Sequence, residues 1–127
     1  MIYQTVNLLM HLLHFAIIIF SLFGWTLASF RPWHLVLQAA ILLSWLGYGI
    51  WRGDWGKCVV TVAHWHWKEV WSLRPATESY IDYWLRYRLN LGVEAKVSER
   101  WTFGIFALTT LLSILLVLID TSFEYEQ

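Results

Sequence analysis

Three stretches of this chain contain no Asp, Glu, Lys or Arg, and they constrain the fold more than any other feature. They are "LLMHLLHFAIIIFSLFGWTLASF" at 8–30, "LVLQAAILLSWLGYGIW" at 35–51 and "WTFGIFALTTLLSILLVLI" at 101–119. Each approaches or exceeds the roughly 20 residues a helix needs to cross hydrocarbon at about 1.5 Å per residue. The composition points the same way. Apolar residues make up 58% and charged residues 14% of the chain, against about 45–50% and about 25% in soluble domains. So little charge cannot cover a small soluble protein, whereas a lipid-facing surface needs none. The expected fold is an all-α membrane protein: three transmembrane helices in a small bundle, with two short interfacial amphipathic helices between the second and third. We place the spans near 5–30, 34–52 and 99–120, within a single integral membrane domain covering 1–127. Residues 53–98 form the interfacial segment.

No Lys or Arg precedes the first span, so it reads as a retained helix rather than a leader. Arg31-Pro32 then predicts a tight turn, since proline ends one helix and suits the first turn of the next. The middle segment is different in kind. Eight of the nine Lys and Arg residues fall within 52–100, and only Arg31 lies elsewhere. The positive-inside rule puts that segment and the N-terminus on the cytoplasmic side, with the C-terminus outside. The two short helices are "TVAHWHWKEVWSL" (61–73) and "SYIDYWLRYRLNL" (79–91), the second ending at Gly92 as a C-cap. Asp82 stands four residues before Arg86, a favourable helical pair. Tyr80, Trp84, Tyr87 and Leu91 fall on one face, suited to the headgroup region. Trp51, Trp55, Trp67, Trp71, Trp84 and Trp101 are the expected interface anchors.

Several function classes lose support. Net charge is zero and no nucleic-acid-binding signature occurs. One cysteine cannot form an internal disulfide. The phosphate-loop, dinucleotide, zinc-protease and serine-hydrolase motifs are missing.

Polar side chains inside apolar spans are therefore the informative ones. Asn7, His14 and Ser21 recur every seven residues, about 700° around a helix. His11 joins their face. His34, Gln38 and Trp45 stripe the second span, and Thr102, Thr109, Ser113 and Asp120 the third. The structural reading is interhelical hydrogen bonding at a seam. The sharper reading is a lined pocket or a transfer path.

Cys58, His64 and His14 are the metal candidates, for zinc or, through histidine, for haem. Zinc needs three or four S, N or O ligands. His64 and His66 point about 200° apart on a helix and cannot share one ion there. His34 lies roughly 20–30 Å from His14 along the hairpin, too far to share an iron. No metal site is assigned. The structural reading, hydrogen-bonded histidines and anchoring tryptophans, leads for His64, His66, Trp65, Trp67 and Trp71.

One resemblance covers nearly the whole chain. Asn7, His14, "FSLFGW" (20–25), "SWLGYGIW" (44–51), Cys58, Thr61, His64-Trp65 and "SYI" (79–81) occur in order before the last apolar helix. This pattern resembles a family of small bacterial integral membrane proteins known only as a domain of unknown function. The resemblance implies a bacterial inner-membrane protein in which His14, Cys58, Thr61 and His64 belong to one site. The candidate pocket residues are then Asn7, His11, His14, Cys58, Thr61, His64 and Trp65. No acid, base and nucleophile set supports an enzyme. The leading functional reading is a non-catalytic membrane protein, an accessory subunit of a larger complex. The alternative is a small-ligand or redox protein holding haem, quinone, lipid or metal near His14 and His64. Expected partners are the lipid bilayer and protein subunits or further copies of the chain, and not nucleic acid.

Overall fold

The computed structural model describes residues 1–53 and 56–124. Among these the regular structure is entirely helical. Helix α1 runs Ile2–Phe23 and is followed by two 3-10 turns, Gly24–Thr26 and Ala28–Phe30. Helix α2 is Arg31–Arg52 and α3 is Val59–Val70. A short turn of α-helix, α4, covers Tyr80–Asp82 and runs on into a π-helical stretch, Tyr83–Arg88. The last helix, α5, is Ala95–Glu124. Three segments are long and apolar enough to cross a membrane: Ile2–Thr26, Ala28–Arg52 and Ala95–Ser122.

The boundaries differ from the expected spans for local reasons. The first helix stops at Phe23 rather than running to 30. Leu27 is extended, at φ −103° and ψ 122°, and the Thr26 hydroxyl donates to the Phe23 carbonyl at 2.7 Å. Gly24 permits the hairpin to close. A Cβ there would lie 3.0 Å from His34 Cδ2 and 3.1 Å from the Phe20 ring, so one of these side chains would have to shift by a few tenths of an ångström. Pro32 sits in the first turn of α2, as predicted. Gly53 ends α2 in the left-handed conformation and donates to the Gly49 carbonyl at 3.0 Å. Helix α5 is 30 residues long, extending the expected 99–120 at both ends.

The second short helix is also corrected. Its end is not capped by Gly92. Asn90 takes the left-handed conformation instead, at φ 52°. Leu89 N–H donates to the Trp84 carbonyl at 2.9 Å and Leu91 N–H to the Leu85 carbonyl at 2.8 Å, so the helix widens before it stops. This widening splits the expected aromatic face. Tyr80 turns inward and is buried, while Tyr87 and Leu91 are exposed.

Helices α1, α2 and α5 pack on one another, α3 lies against α1, and α4 against α5. The distribution of polarity is inverted relative to a soluble domain. Among the described residues Trp65 and Tyr80 are the buried hydrophobic ones, whereas His34, His64 and Asp82 are each 0% exposed. Leu8, Leu43, Leu111 and many similar side chains point outward. Where the solvent is lipid, apolar burial drives nothing, so polar pairing and close packing hold the helices together. At the hairpin end, Arg31 forms an ion pair with Asp120 on α5 and donates from Nε to the Trp25 carbonyl at 3.0 Å.

Candidate functional site

Helix α1 presents Asn7, His11 and His14 on one face, and α3 answers with Thr61, His64, Trp65 and Lys68. The spacings of three and four residues put each set on one stripe. His14 is fixed first. Its Nδ1–H donates to the Met10 carbonyl at 2.7 Å, which leaves Nε2 as an acceptor. The Thr61 hydroxyl fills that position at 3.2 Å. His64 donates from Nε2 to Asn7 Oδ1 at 3.0 Å, and its Nδ1 is buried with no partner. His11 Nδ1 and the Tyr80 hydroxyl are 2.8 Å apart.

The rings stack as well as bond. Tyr80 lies on His14 with centroids 3.8 Å apart and planes within 14°. His11 meets His64 edge-on at 4.7 Å. Trp65 packs beside His64 at 5.0 Å and Tyr83 at 5.3 Å. Lys68, one turn beyond His64, holds its ammonium 4.8 Å from the Tyr83 ring and 5.3 Å from the Trp65 ring. No carboxylate among the described residues pairs with it.

This arrangement sets the charge states. Burial first, then electrostatic interaction with His11, Lys68 and His14, pushes His64 down to about 3, so the ring is neutral near pH 7. Burial and the nearby Arg88 also lower the Lys68 ammonium. Burial raises the Tyr80 phenol. Beside the cluster, Asp82 is fully buried but bonded on three sides. Thr77 donates to it at 2.6 Å, Arg86 Nε donates at 2.7 Å, and Arg86 Nη2 contacts its second oxygen. Burial alone would raise this carboxyl, but the Arg86 and Thr77 hydrogen bonds outweigh it and hold it below the usual range.

A cavity of about 540 Å³ opens next to the cluster, between α1, α2 and α5. Ile17, Ile18, Ile41 and Phe106 are among its apolar lining residues, His14, Thr61, Cys58 and Tyr80 line it from the cluster, and Ser21, Glu78, Ser98 and Thr102 add further polar groups. The volume lies within the roughly 300–1,000 Å³ usual for small-molecule sites.

A separate polar network closes the other half of the bundle. Gln38 Nε2 donates to the Thr109 hydroxyl at 3.0 Å, and the Ser21 hydroxyl donates to Gln38 Oε1 at 3.0 Å. His34 Nε2 donates to the Ser21 carbonyl at 2.9 Å. Ser113 is fully buried one turn along α5 from Thr109.

Of the sequence-predicted pocket residues, Asn7, His11, His14, Thr61, His64 and Trp65 come together. Cys58 is a free thiol at the N-cap of α3 that lines the cavity beside His14 and Thr61. His66 is exposed, on the opposite side of α3 from buried His64. Among the described residues no group of three or more His, Cys, Asp or Glu side chains is arranged to hold a metal ion. A metal at His14 would have to displace the Thr61 hydroxyl.

Of the expected anchors, Trp51, Trp71 and Trp101 are exposed. Trp67 is partly covered, and Trp84 packs on Phe15 at 5.0 Å and His11 at 5.8 Å. Trp55 lies outside the described residues. Tyr80 and Lys68 were missed as site residues. Lys68 was detectable in principle, four residues after His64 on one helical face.

A family model described as "Protein of Unknown function (DUF2784)" matches residues 4–119 of the chain. No curated protein and no solved structure matches it.

Proposed function

The chain belongs to the family of proteins of unknown function DUF2784, and we propose that it takes an apolar, membrane-borne small molecule into the cavity between its three spans. The observation that carries this reading is the lining of that cavity: mostly apolar side chains of the three spans, with His14, Thr61 and Tyr80 of the histidine cluster among its polar groups. His14 is committed on both nitrogens, so it positions Thr61 rather than binding directly. The Thr61 oxygen keeps lone pairs to accept from a ligand hydroxyl or amine.

Native mass spectrometry of the detergent-purified protein tests this. The expected result is one lipid-like or quinone-like molecule per chain, lost when Ile41→Trp or Ile18→Trp fills the cavity. A ligand-free wild-type protein overturns the reading.

A second reading, an accessory subunit of a membrane complex, is supported by Gly47 and Gly104. A Cβ added at either position meets nothing within 4 Å, so each leaves bare helix surface that a partner helix can approach. A stable protein partner on a ligand-free chain would favour it. For topology, we propose that the N-terminus and residues 52–100 are cytoplasmic in a bacterial inner membrane. The support is the clustering of eight of nine basic residues in that segment. Terminal reporter fusions active on the opposite sides would overturn that orientation.

A further inference from the structure

The cavity between the spans is graded along its length. Helices α1 and α5 run in the same direction, since α1 ends at the hairpin and Asp120, late in α5, pairs with Arg31 there. Ser21 and Thr109 are both bonded to Gln38 and so share one level. His14 and Thr102 each lie seven residues before that level, about 10 Å along their helices. Ser98 lies one turn further, about 6 Å. Between the two levels the helices offer Ile17, Ile18, Ile105 and Phe106. Around His14 and beyond it, among further apolar side chains, the lining gains Thr61, Ser79, Ser98, Thr102 and Glu78. Thr61 is bonded to His14, and the 78–80 segment is brought there by Tyr80, stacked on the same ring.

The hydroxyls of this half have given up their hydrogens. Thr61 donates to His14 Nε2 at 3.2 Å, Ser98 to the Ala95 carbonyl at 2.9 Å and Thr102 to the Ser98 carbonyl at 2.8 Å. Each oxygen then offers lone pairs and no free donor. Ser79 differs, its oxygen accepting from the Asp82 N–H at 3.3 Å. No Lys or Arg is among the described lining residues, and Glu78, the one carboxylate, is paired with Arg74 and Lys57. An anionic head would meet acceptors and no lining cation. An ammonium head would find that carboxylate already taken. Either charge, buried without a partner, is strongly unfavourable. A hydroxyl group suits the lining, because it donates to one of these oxygens and can accept from Ser79.

We infer that the ligand of this cavity is an uncharged amphipath with a hydroxyl head, the head among Thr61, Ser98 and Thr102 and the apolar tail running toward Ile18 and Phe106. This rests on the reading of the cavity as a ligand site.

The test uses the full chain in detergent and native mass spectrometry with three probes of one chain length: hexadecanol, its methyl ether and hexadecyl phosphate. Hexadecanol is expected to bind one per chain. The ether, which can only accept, should bind about tenfold more weakly, and the phosphate more weakly still. This comparison needs no variant. Thr61→Val, Ser98→Ala and Thr102→Val then locate the head, and at least one is expected to bring the alcohol down to the ether level. Equal binding of alcohol and ether overturns the hydroxyl assignment and leaves the cavity reading standing. Phosphate bound more tightly than the alcohol overturns the uncharged head. A preference for the alcohol that survives all three substitutions overturns the placement. Binding of none of the probes overturns both this inference and the cavity reading.

Discussion

The two polar networks of this protein contain the same kinds of residue but are built to different ends. The hairpin-side network joins α1, α2 and α5 through Ser21, His34, Gln38 and Thr109. It is a clasp between spans, and one of its hydroxyls has a fallback partner in its own helix. Thr109 also reaches the Phe106 carbonyl at 3.2 Å. The other network joins α1 to segments that lie between the spans in sequence. It contains three histidine rings, a stacked tyrosine and a buried tryptophan, and it borders the larger cavity. Hydrogen bonds suffice for the clasp. In the histidine cluster, stacked rings bury far more contact area per residue, so packing and electrostatics should dominate its stability.

That contrast is broken most directly at Trp65. Trp65→Ala removes the largest fully buried side chain and should cost about 3–5 kcal/mol, the range for truncating a buried large aromatic. Thermal unfolding in detergent measures it. A cost below that of a clasp variant would mean the cluster is not a packed unit.

Acid should separate the networks next. Folded His64 stays neutral down to about 3, for burial first and electrostatic interaction with its neighbours second, whereas an unfolded histidine protonates near about 6.5. Below that value the unfolded chain binds a proton that the folded chain refuses. The stability contributed is complete above about 6.5 and falls by about 1.4 kcal/mol per pH unit as pH drops. Asp82 acts in the same direction but lower, losing its contribution as pH falls below about 3.9 toward its depressed folded value. Between pH 7 and pH 5 the His64 share of the lost stability should be about 2 kcal/mol. His64→Gln should flatten the slope. An unchanged slope in the variant would locate the sensitivity elsewhere.

The clasp is the weaker side of the comparison. Gln38→Leu should cost about 1–2 kcal/mol, from two or three bonds averaging about 0.6 kcal/mol each in membrane helices. A larger loss, matching Trp65→Ala, would make the clasp the keystone of the bundle.

What could be read in the sequence follows the same division. The three spans, the start of α2 at Arg31-Pro32 and the Asn7-His11-His14 face were legible because a charge-free run, a proline and a helical repeat are one-dimensional signals, whereas the turn itself falls at Gly24–Phe30 and not at Arg31-Pro32. So was the pairing of Asp82 with Arg86, which needs only a four-residue spacing. The inward turn of Tyr80 was not legible. A regular helix through 79–91 keeps Tyr80 in line with Trp84, Tyr87 and Leu91, whereas the π-helical stretch after Asp82 changes the rotation. The break after Phe23 was also hidden, because it combines the extended conformation of Leu27 with the room that Gly24 leaves for His34 across the hairpin. The Lys57–Glu78 ion pair depends on how loops 56–58 and 74–79 meet, and no periodicity encodes that.

The finest test divides the cluster itself. Tyr80→Phe removes the hydroxyl bonded to His11 but keeps the ring stacked 3.8 Å from His14. It should cost about 0.5–1.5 kcal/mol, the net value of one hydrogen bond. Because that hydroxyl is already engaged by His11, ligand occupancy should change less than about twofold, under about 0.4 kcal/mol. Thr61→Val is the matching control. It removes one donor, to His14 Nε2, at a similar cost in stability. It also removes the oxygen whose remaining lone pairs face the cavity. If ligand occupancy falls in Thr61→Val and holds in Tyr80→Phe, the threonine is the contact and the tyrosine a support for the histidines. The reverse result would assign the contact to Tyr80 and make His11, rather than His14, the histidine that orients it.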